Sequence, residues 1–339
     1  MSRGLYPEAK GVLDLALADA RPGLEDPVAL TVHSVASSLM GRPEQGLKDL
    51  INPAIGTNHD SQLWKALAYA RQAKWAEARE KFKNAEFAIT SLPIELQRIL
   101  ISEAMRASLE VKDYSGAAKR SDDLDVVGLP SELKGAISVL RGRLAEALGH
   151  DKDALGQYRI AIGSTDRAAA AEAKLLEIIL RQRRDEISQA EVLRERETLS
   201  MMWRGDAVEV RALQIMARIY PETGRYGESF AAARTATRLQ PNSEPARQGQ
   251  DAAAALFAQL FLSPKGDDLP PVDALGIFYE YRELTPIGRR GDEMIRRLAD
   301  RLVAVDLLDQ ASELLQYQVD KGWRARRARR SRRASPWSI

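Results

Sequence analysis

The chain contains no cysteine and only three histidines, His33, His59 and His150, among its 339 residues. Without thiols it cannot form disulfides, thiolate-bound zinc sites, iron–sulfur clusters or a cysteine nucleophile. The three histidines are dispersed in sequence, which indicates neither a metal cluster nor a catalytic dyad. No G-x-S-x-G, H-E-x-x-H, G-x-G-x-x-G or phosphate-loop motif is present. The sequence therefore predicts a protein that is not an enzyme and that has no cofactor and no metal site.

Long apolar runs are also missing. The most apolar stretch, 252–262, is interrupted by Gln259 and is too short to span a bilayer. The first eight residues lack the apolar core of a secretory signal peptide. The sequence as written predicts no membrane span and a cytoplasmic location. Envelope association of a parent protein is expected only if the N-terminus is truncated.

Aromatic residues make up only 6% of a chain that is 45% hydrophobic and 29% charged. The hydrophobic residues are therefore mostly alanine, leucine, isoleucine and valine, and alanine and leucine are strong helix formers. This composition predicts an all-α protein with an aliphatic core.

The basic residues are unevenly distributed. Segment 322–339 holds seven arginines and no acid, whereas the rest of the chain carries 43 basic and 48 acidic residues. This tail has three interpretations: a disordered basic tail, a nucleic-acid-binding arm, or residues translated in a wrong frame. The wrong frame is favoured because the helical pattern stops abruptly at Asp320. Nucleic acid is a partner only if the tail is genuine, since arginines that neutralise phosphates give salt-dependent binding.

A repeat organises the chain. Small residues recur early in segments that follow a helix break, with further small or apolar residues three or four positions apart. The steps between these positions are 32 to 39 residues, except for a last step of 82 residues that corresponds to about two repeats. The positions are Ala9, Gly46, Ala78, Ala117, Ala154, Ala190, Ser229 and Ala311. Such a period predicts stacked helical hairpins, because a single hairpin cannot bury its apolar face alone.

The pattern resembles the tetratricopeptide family over nearly the whole chain. The resemblance implies a right-handed α-solenoid of about eight or nine helical hairpins that lacks native end caps. It also implies structural roles: glycines make the turns or allow close helix approach, small residues fit between helices, and aromatic residues fill gaps. The residues assigned to repeat packing are Tyr6, Ala9, Tyr69, Trp75, Ala78, Phe82, Gly142, Gly149, Ala154, Tyr158, Ala161, Tyr220, Gly224, Tyr226, Ala236 and Pro241.

The sequence pattern predicts four segments. Repeats occupy 1–250, an irregular Pro/Gly-containing insertion or distorted repeat occupies 251–290, a further hairpin occupies 291–321, and the basic tail occupies 322–339. The run 278–292 and the following residues up to Val319 are similar to a segment of large, poorly characterised bacterial tetratricopeptide-containing proteins. The chain is also expected to be a fragment of a longer array, able to self-associate through its uncapped ends.

The predicted function is that of a non-catalytic scaffold that binds peptides or proteins on the concave face of the array. The alternative is a nucleic-acid-associated protein that uses the arginine-rich tail. In the family that the chain resembles, the first helix of each hairpin lines the groove, and arginines there can bind carboxylates. Leu63, Leu67 and Val139 are the apolar positions expected on this wall. The candidate partner-binding residues are Arg71, Arg143, Arg211, Gln214, Arg218 and Arg296.

Overall fold

The structure is a computed structural model that describes residues 6–18, 26–56, 59–204, 207–241, 243–286 and 288–319. Within these ranges all regular structure is helical and there is no strand. The chain divides into two compact units, Met1–Leu180 and Arg181–Ile339. The predicted basic tail, 322–339, lies outside the described residues.

The first unit is a series of antiparallel hairpins in which consecutive helices pack together. The hairpins pair α2 with α3, α4 with α5, α6 with α7 and α8 with α9, while α1 packs on α2. Short 3-10 helices follow α3 and α5, at Pro53–Ile55 and Glu86–Ser91. The α-helices are α1 (Tyr6–Ala18), α2 (Pro27–Leu39), α3 (Pro43–Ile51), α4 (His59–Arg71), α5 (Trp75–Ala85), α6 (Ile94–Glu110), α7 (Tyr114–Val127), α8 (Ser131–Ala147), α9 (Asp151–Ile162) and α10 (Arg167–Arg183, which ends in the second unit).

The second unit continues the same architecture. Helix α12 packs against α11, α13 and α14, and α14 packs against α16. Short 3-10 helices occupy Tyr220–Thr223, Pro264–Gly266 and Arg282–Leu284. The α-helices are α11 (Gln189–Met202), α12 (Ala207–Ile219), α13 (Tyr226–Leu239), α14 (Glu244–Leu262), α15 (Pro271–Glu280), α16 (Arg289–Ala304) and α17 (308–319). The predicted all-α helical-repeat class is confirmed.

The small residues that revealed the repeat occupy one structural position. Seven of the eight are the fourth residue of their helix. Ala190 is an exception, because it is the exposed second residue of α11, whose fourth residue is the buried Val192. Ala78, Ala117 and Ala154 have no exposed surface. A Cβ atom on Gly46 would lie 2.6 Å from the carbonyl oxygen of Ser34 on the first helix of its hairpin. Size is selected at this position because the two helices of a hairpin approach most closely there.

The turns inside the hairpins also repeat. The second residue before the second helix has a positive φ in most of them, and the next N–H donates to the carbonyl five residues earlier, for example from His150 to Ala145 over 2.8 Å. This is the Schellman arrangement, which closes a helix C-terminus with one left-handed residue. Among the described residues, glycine occupies three of the six such positions, which are Gly41, Ala73, Lys112, Gly149, Gly224 and Asp306. Asp185 has the same left-handed turn but lies four residues before α11.

Replacing Ala73 by glycine is expected to stabilise the first unit by about 0.5–1 kcal/mol. Ala73 has a φ of 57°, where a Cβ atom is strained and glycine is not. Ala76→Gly, at an exposed position in α5, should instead lower the free energy of unfolding, because glycine weakens helices. Urea unfolding followed by circular dichroism measures both changes, and equal destabilisation by the two glycines would contradict the strain at Ala73.

The irregular segment contains a repeat position that the sequence pattern missed. Ala274 is the fourth residue of α15 and has no exposed surface, like Ala78, Ala117 and Ala154. It follows Ser229 by 45 residues and precedes Ala311 by 37, which divides the long step of 82 into two. We propose that 251–290 is a lengthened repeat, in which residues 263–270 add a longer connection between α14 and α15.

A buried histidine attaches α1 to the hairpin of α2 and α3. The side chain of His33 is only 4% exposed; its Nδ1 lies 2.7 Å from Asp49 Oδ2 and its Nε2 lies 2.9 Å from Asp14 Oδ1. Burial raises the pKa of Asp49, whereas the hydrogen bond from Lys10 lowers the pKa of Asp14. Among the described residues, no group of three histidine, aspartate or glutamate side chains could hold a metal ion.

Candidate functional site

The six predicted partner-binding residues lie on first helices, but they divide between the two units. Arg71 ends α4 and Arg143 lies on α8, both in the first unit. The second unit holds Arg211, Gln214 and Arg218 on α12 and Arg296 on α16. Each unit therefore carries its own candidate surface.

In the first unit, the two arginines form ion pairs with acids of the intervening first helix. Arg71 Nη2 lies 3.1 Å from Glu103 Oε1, and Arg143 Nη2 lies 2.7 Å from Glu110 Oε1. Both glutamates belong to α6, so the pairs link α4, α6 and α8. The four side chains are 14% to 38% exposed, so both pairs are partly accessible to water. The carboxylates of an acidic partner can therefore compete with the two glutamates for the arginines.

In the second unit, Gln214 faces the neighbouring first helix. Its amide nitrogen donates to Gln248 Oε1 on α14 over 2.7 Å, and Arg218 Nη2 lies 3.5 Å from the same oxygen. Gln214 is only 8% exposed. The prediction that its side chain faces a partner is therefore wrong, because the packing of α12 against α14 covers it.

The apolar residues expected on the binding wall are core residues. Leu63, Leu67 and Val139 are between 1% and 2% exposed. Leu63 and Leu67 belong to the main cluster of the first unit, and Val139 packs with residues of α9 and α10. The prediction that they line an exposed wall is wrong, since they lie on the helix face that contacts neighbouring helices.

Arg211 and Arg296 are both exposed and differ in their surroundings. No hydrogen bond or ion pair joins the Arg296 side chain to another residue in the described ranges. Arg211 lies close enough to Arg196 on α11 for its charge to disfavour protonation of that residue. Arg211 therefore adds to a local excess of positive charge.

Arg196 is a residue that sequence reasoning missed. It is 1% exposed, and its only hydrogen bond to a residue that the structure describes runs from Nη2 to Gln182 Oε1 over 3.1 Å. Its Nε and Nη1 have no hydrogen-bond partner in the described part of the chain. Burial, with a smaller contribution from Arg211, lowers the pKa of Arg196 to about 10. The sequence did contain a signal, because Arg196 lies at helical spacing from Val192, Leu193 and Leu199, which form the buried face of α11.

The residues assigned to repeat packing have different degrees of burial. A Cβ atom on Gly142 would lie 2.4 Å from the ring of Tyr158, whose hydroxyl donates to Glu146 over 2.7 Å. Burial raises the pKa of Tyr158 and raises that of Tyr220 to about 12. The fully or largely buried members are Ala78, Phe82, Ala154, Tyr158, Ala161, Tyr220 and Ala236.

The remaining assigned residues lie at partly exposed positions. Gly149 and Gly224 are the left-handed turn residues of their hairpins. Pro241 is exposed in the turn after α13, where it follows the helix end without entering the core. Tyr6, Ala9, Tyr69, Trp75 and Tyr226 are partly buried.

The first unit also has an apolar cleft of about 640 Å³ between the 3-10 helix after α5, the start of α6 and the end of α7. Phe87, Ile94 and Val126 line it and are 61%, 43% and 89% exposed. Contiguous exposed apolar side chains of this kind are typical of protein contact surfaces. Sequence periodicity did not indicate the cleft because its residues lie where helices end.

Comparison with known proteins shows which fold the chain has, but it does not assign the chain to a family. No protein-family model matches the chain, and no curated protein matches it. A tetratricopeptide repeat protein from Parabacteroides merdae is similar in structure, with a TM-score of 0.53 and 12% identity over 74% of this chain and 93% of that one. RapI in its apo form has a TM-score of 0.51 and 11% identity over 95% and 94% of the two chains.

A Rap protein complexed with Competence and Sporulation Factor is also similar, with a TM-score of 0.52 and 15% identity over 94% and 95% of the two chains. At these identities the likeness concerns the fold alone. The chain thus has the fold of the tetratricopeptide-type helical-repeat proteins. No described helix has both the length and the apolar composition needed to cross a membrane.

Proposed function

We propose that this protein is a non-catalytic scaffold whose first helices bind peptides or partner proteins. The observation that carries the proposal is the pair of exchangeable ion pairs on consecutive first helices, Arg71 with Glu103 and Arg143 with Glu110. Arginine binds carboxylates in well-defined geometry, and a partner that supplies carboxylates can replace the two glutamates.

Two further findings support a protein partner. The exposed apolar cleft offers a surface that water solvates poorly and that a protein side chain can cover. One of the proteins of similar fold was solved in a complex, that of a Rap protein with Competence and Sporulation Factor. Kinship of segment 278–319 with large bacterial proteins of this repeat type stays a prediction.

The test uses a charge reversal in each unit. The full chain and its Arg143→Glu/Arg218→Glu variant are immobilised, protein partners recovered from a bacterial lysate are identified, and each purified partner is titrated against both chains. We expect the variant to keep its helical content and to bind an acidic partner at least tenfold more weakly, because two attractive contacts become repulsive.

Arg159→Glu/Arg194→Glu is the matched control, since it reverses one exposed arginine of a second helix in each unit. It should change affinity less than twofold. Equal binding of every purified partner to all three chains would contradict the first-helix surface, and recovery of nucleic acid without protein would favour the alternative function.

A further inference from the structure

The first unit contains a second, strongly basic cleft of about 1020 Å³. It lies where the turn between α2 and α3 meets the turn between α4 and α5. Its lining contains no aromatic residue and only two acids. We call it the basic cleft, and its lining residues are Gly41, Arg42, Pro43, Glu44, Gln45, Lys48, Asp49, Arg71, Gln72 and Lys74.

The repeat itself places two of the cations side by side. Arg42 and Lys74 occupy the same position in consecutive hairpins, directly after the left-handed residues Gly41 and Ala73 and directly before a second helix. Both side chains are exposed, and neither caps its helix with a hydrogen bond. Equivalent positions in adjacent repeats are neighbours in space, so the two charges face the same cleft.

These charges are poorly compensated within the protein. Arg42, Lys48 and Lys74 form no ion pair with any residue that the structure describes, although the Lys74 ammonium lies 5.9 Å from the centre of the Tyr69 ring. Of the two acids that line the cleft, Asp49 is already bound to His33. Glu44 alone faces three unpaired cations and Arg71.

An orphan donor lies in the same lining. The side-chain nitrogen Nε2 of Gln72 is buried and has no hydrogen-bond partner among the described residues. A buried donor without an acceptor is unfavourable. A carboxylate or carbonyl oxygen in the cleft satisfies it once the Gln72 amide turns toward the cleft.

We infer that the basic cleft binds an acidic peptide segment, whose carboxylates contact Arg42, Lys48 and Lys74 and whose oxygen atoms accept a hydrogen bond from Gln72. The inference rests on the proposed scaffold function and names the chemistry of one of its partners. A peptide fits better than single-stranded nucleic acid, because the cations form one compact cluster without an aromatic side chain for base stacking. The site lies at the turn edge of the hairpins, apart from the ion pair of Arg143 with Glu110, and it shares Arg71 with the other ion pair of the candidate surface.

The test titrates the full chain with a fluorescein-labelled synthetic peptide of eight residues that alternates Asp and Glu with Gly and carries a photo-crosslinker. A peptide with Asn and Gln replacing the acids is the neutral control. We expect saturable binding of the acidic peptide, loss of affinity at high salt, and crosslinks in 41–49 and 71–74. Arg42→Glu/Lys74→Glu should weaken binding at least tenfold, and the milder Arg42→Gln/Lys74→Gln should weaken it about threefold to fivefold.

Lys134→Glu/Lys152→Glu is the control for net charge, because both lysines are exposed elsewhere in the first unit. It should change affinity less than twofold. Equal affinity of the basic-cleft variants and the unmodified chain would overturn the inference, as would crosslinks confined to 321–333. Displacement of the peptide by an oligonucleotide of the same charge at lower concentration would also overturn it in favour of a nucleic-acid site.

The two proposals fail in different ways. If purified protein partners bind all basic-cleft variants as they bind the unmodified chain, the scaffold stands and the basic cleft is not its acidic-peptide site. If the chain recovers no protein partner although the acidic peptide binds and crosslinks in the basic cleft, the cleft stands and the scaffold function fails.

Discussion

Phe257→Ala is expected to lower the free energy of unfolding of the second unit by about 3–5 kcal/mol. Phe257 has no exposed surface and lies at the centre of an aromatic cluster. Its ring centroid is 5.7 Å from that of Phe230, 4.7 Å from Phe261 and 6.1 Å from Phe278. These contacts join α13, α14 and α15, so truncation leaves a cavity where the lengthened repeat is held together.

Hydrogen exchange measured by mass spectrometry is the suitable readout, because a repeat protein does not unfold as one cooperative unit. Protection should fall most in α14 and α15. Phe87→Ala makes the same chemical change at a side chain that is 61% exposed and should cost less than about 1 kcal/mol. A comparable loss in both variants would contradict the role of the aromatic cluster.

Arg196→Met is expected to stabilise the second unit by about 1–4 kcal/mol, which is unusual for a substitution of a buried residue. The guanidinium is buried with two nitrogens unpartnered and without an ion pair among the described residues. Methionine has a similar length and needs no hydrogen bond. The substitution removes the hydrogen bond to Gln182. Because Gln182 is only half-buried, a water molecule can take the place of the lost donor.

The stabilisation should depend on pH in a defined direction. Burial lowers the pKa of Arg196 to about 10 in the folded protein, below its ordinary value of 12.5. A basic group whose pKa is lower in the folded than in the unfolded protein destabilises the folded state. The destabilisation is complete at pH values below the folded-state pKa, and it decreases as pH rises through that pKa. The advantage of methionine should therefore be complete at pH 7 and should shrink above pH 10.

Urea unfolding at pH 7 and pH 10.5 measures the effect. Arg194→Met, which removes the same charge from an exposed position on α11, should change stability by less than about 0.5 kcal/mol at both values. Destabilisation of more than 1 kcal/mol by Arg196→Met would show that the guanidinium has a favourable partner.

The ion pairs of the candidate surface could have been found in the sequence. Arg71 precedes Glu103 by 32 residues, and Glu110 precedes Arg143 by 33, close to the repeat period. Residues one period apart lie on adjacent equivalent helices, so opposite charges at this spacing predict contacts. Gln214 and Gln248, which are 34 residues apart, follow the same rule.

Other parts of the site depend on tertiary structure. Arg42 and Lys74 are one period apart, but their side chains form a cleft only because two turns meet at the edge of the unit. Phe87, Ile94 and Val126 are distant in sequence and converge where a 3-10 helix and two helix ends meet. Convergence of this kind depends on the angles between packed helices, and the period of the sequence does not determine these angles.

The sequence by itself determined the class of the fold and the register of most of its repeats. The period of small residues was enough for this prediction, because two closely packed helices leave room only for a small side chain, as at Ala78 and Ala154. Tertiary structure decided the rest. It imposes left-handed turns on Ala73 and Lys112, where packing outweighs local strain, and it leaves two nitrogens of the buried Arg196 without a partner among the described residues. Local preferences at such positions are worth about 1 kcal/mol, and the burial of whole helix faces outweighs them.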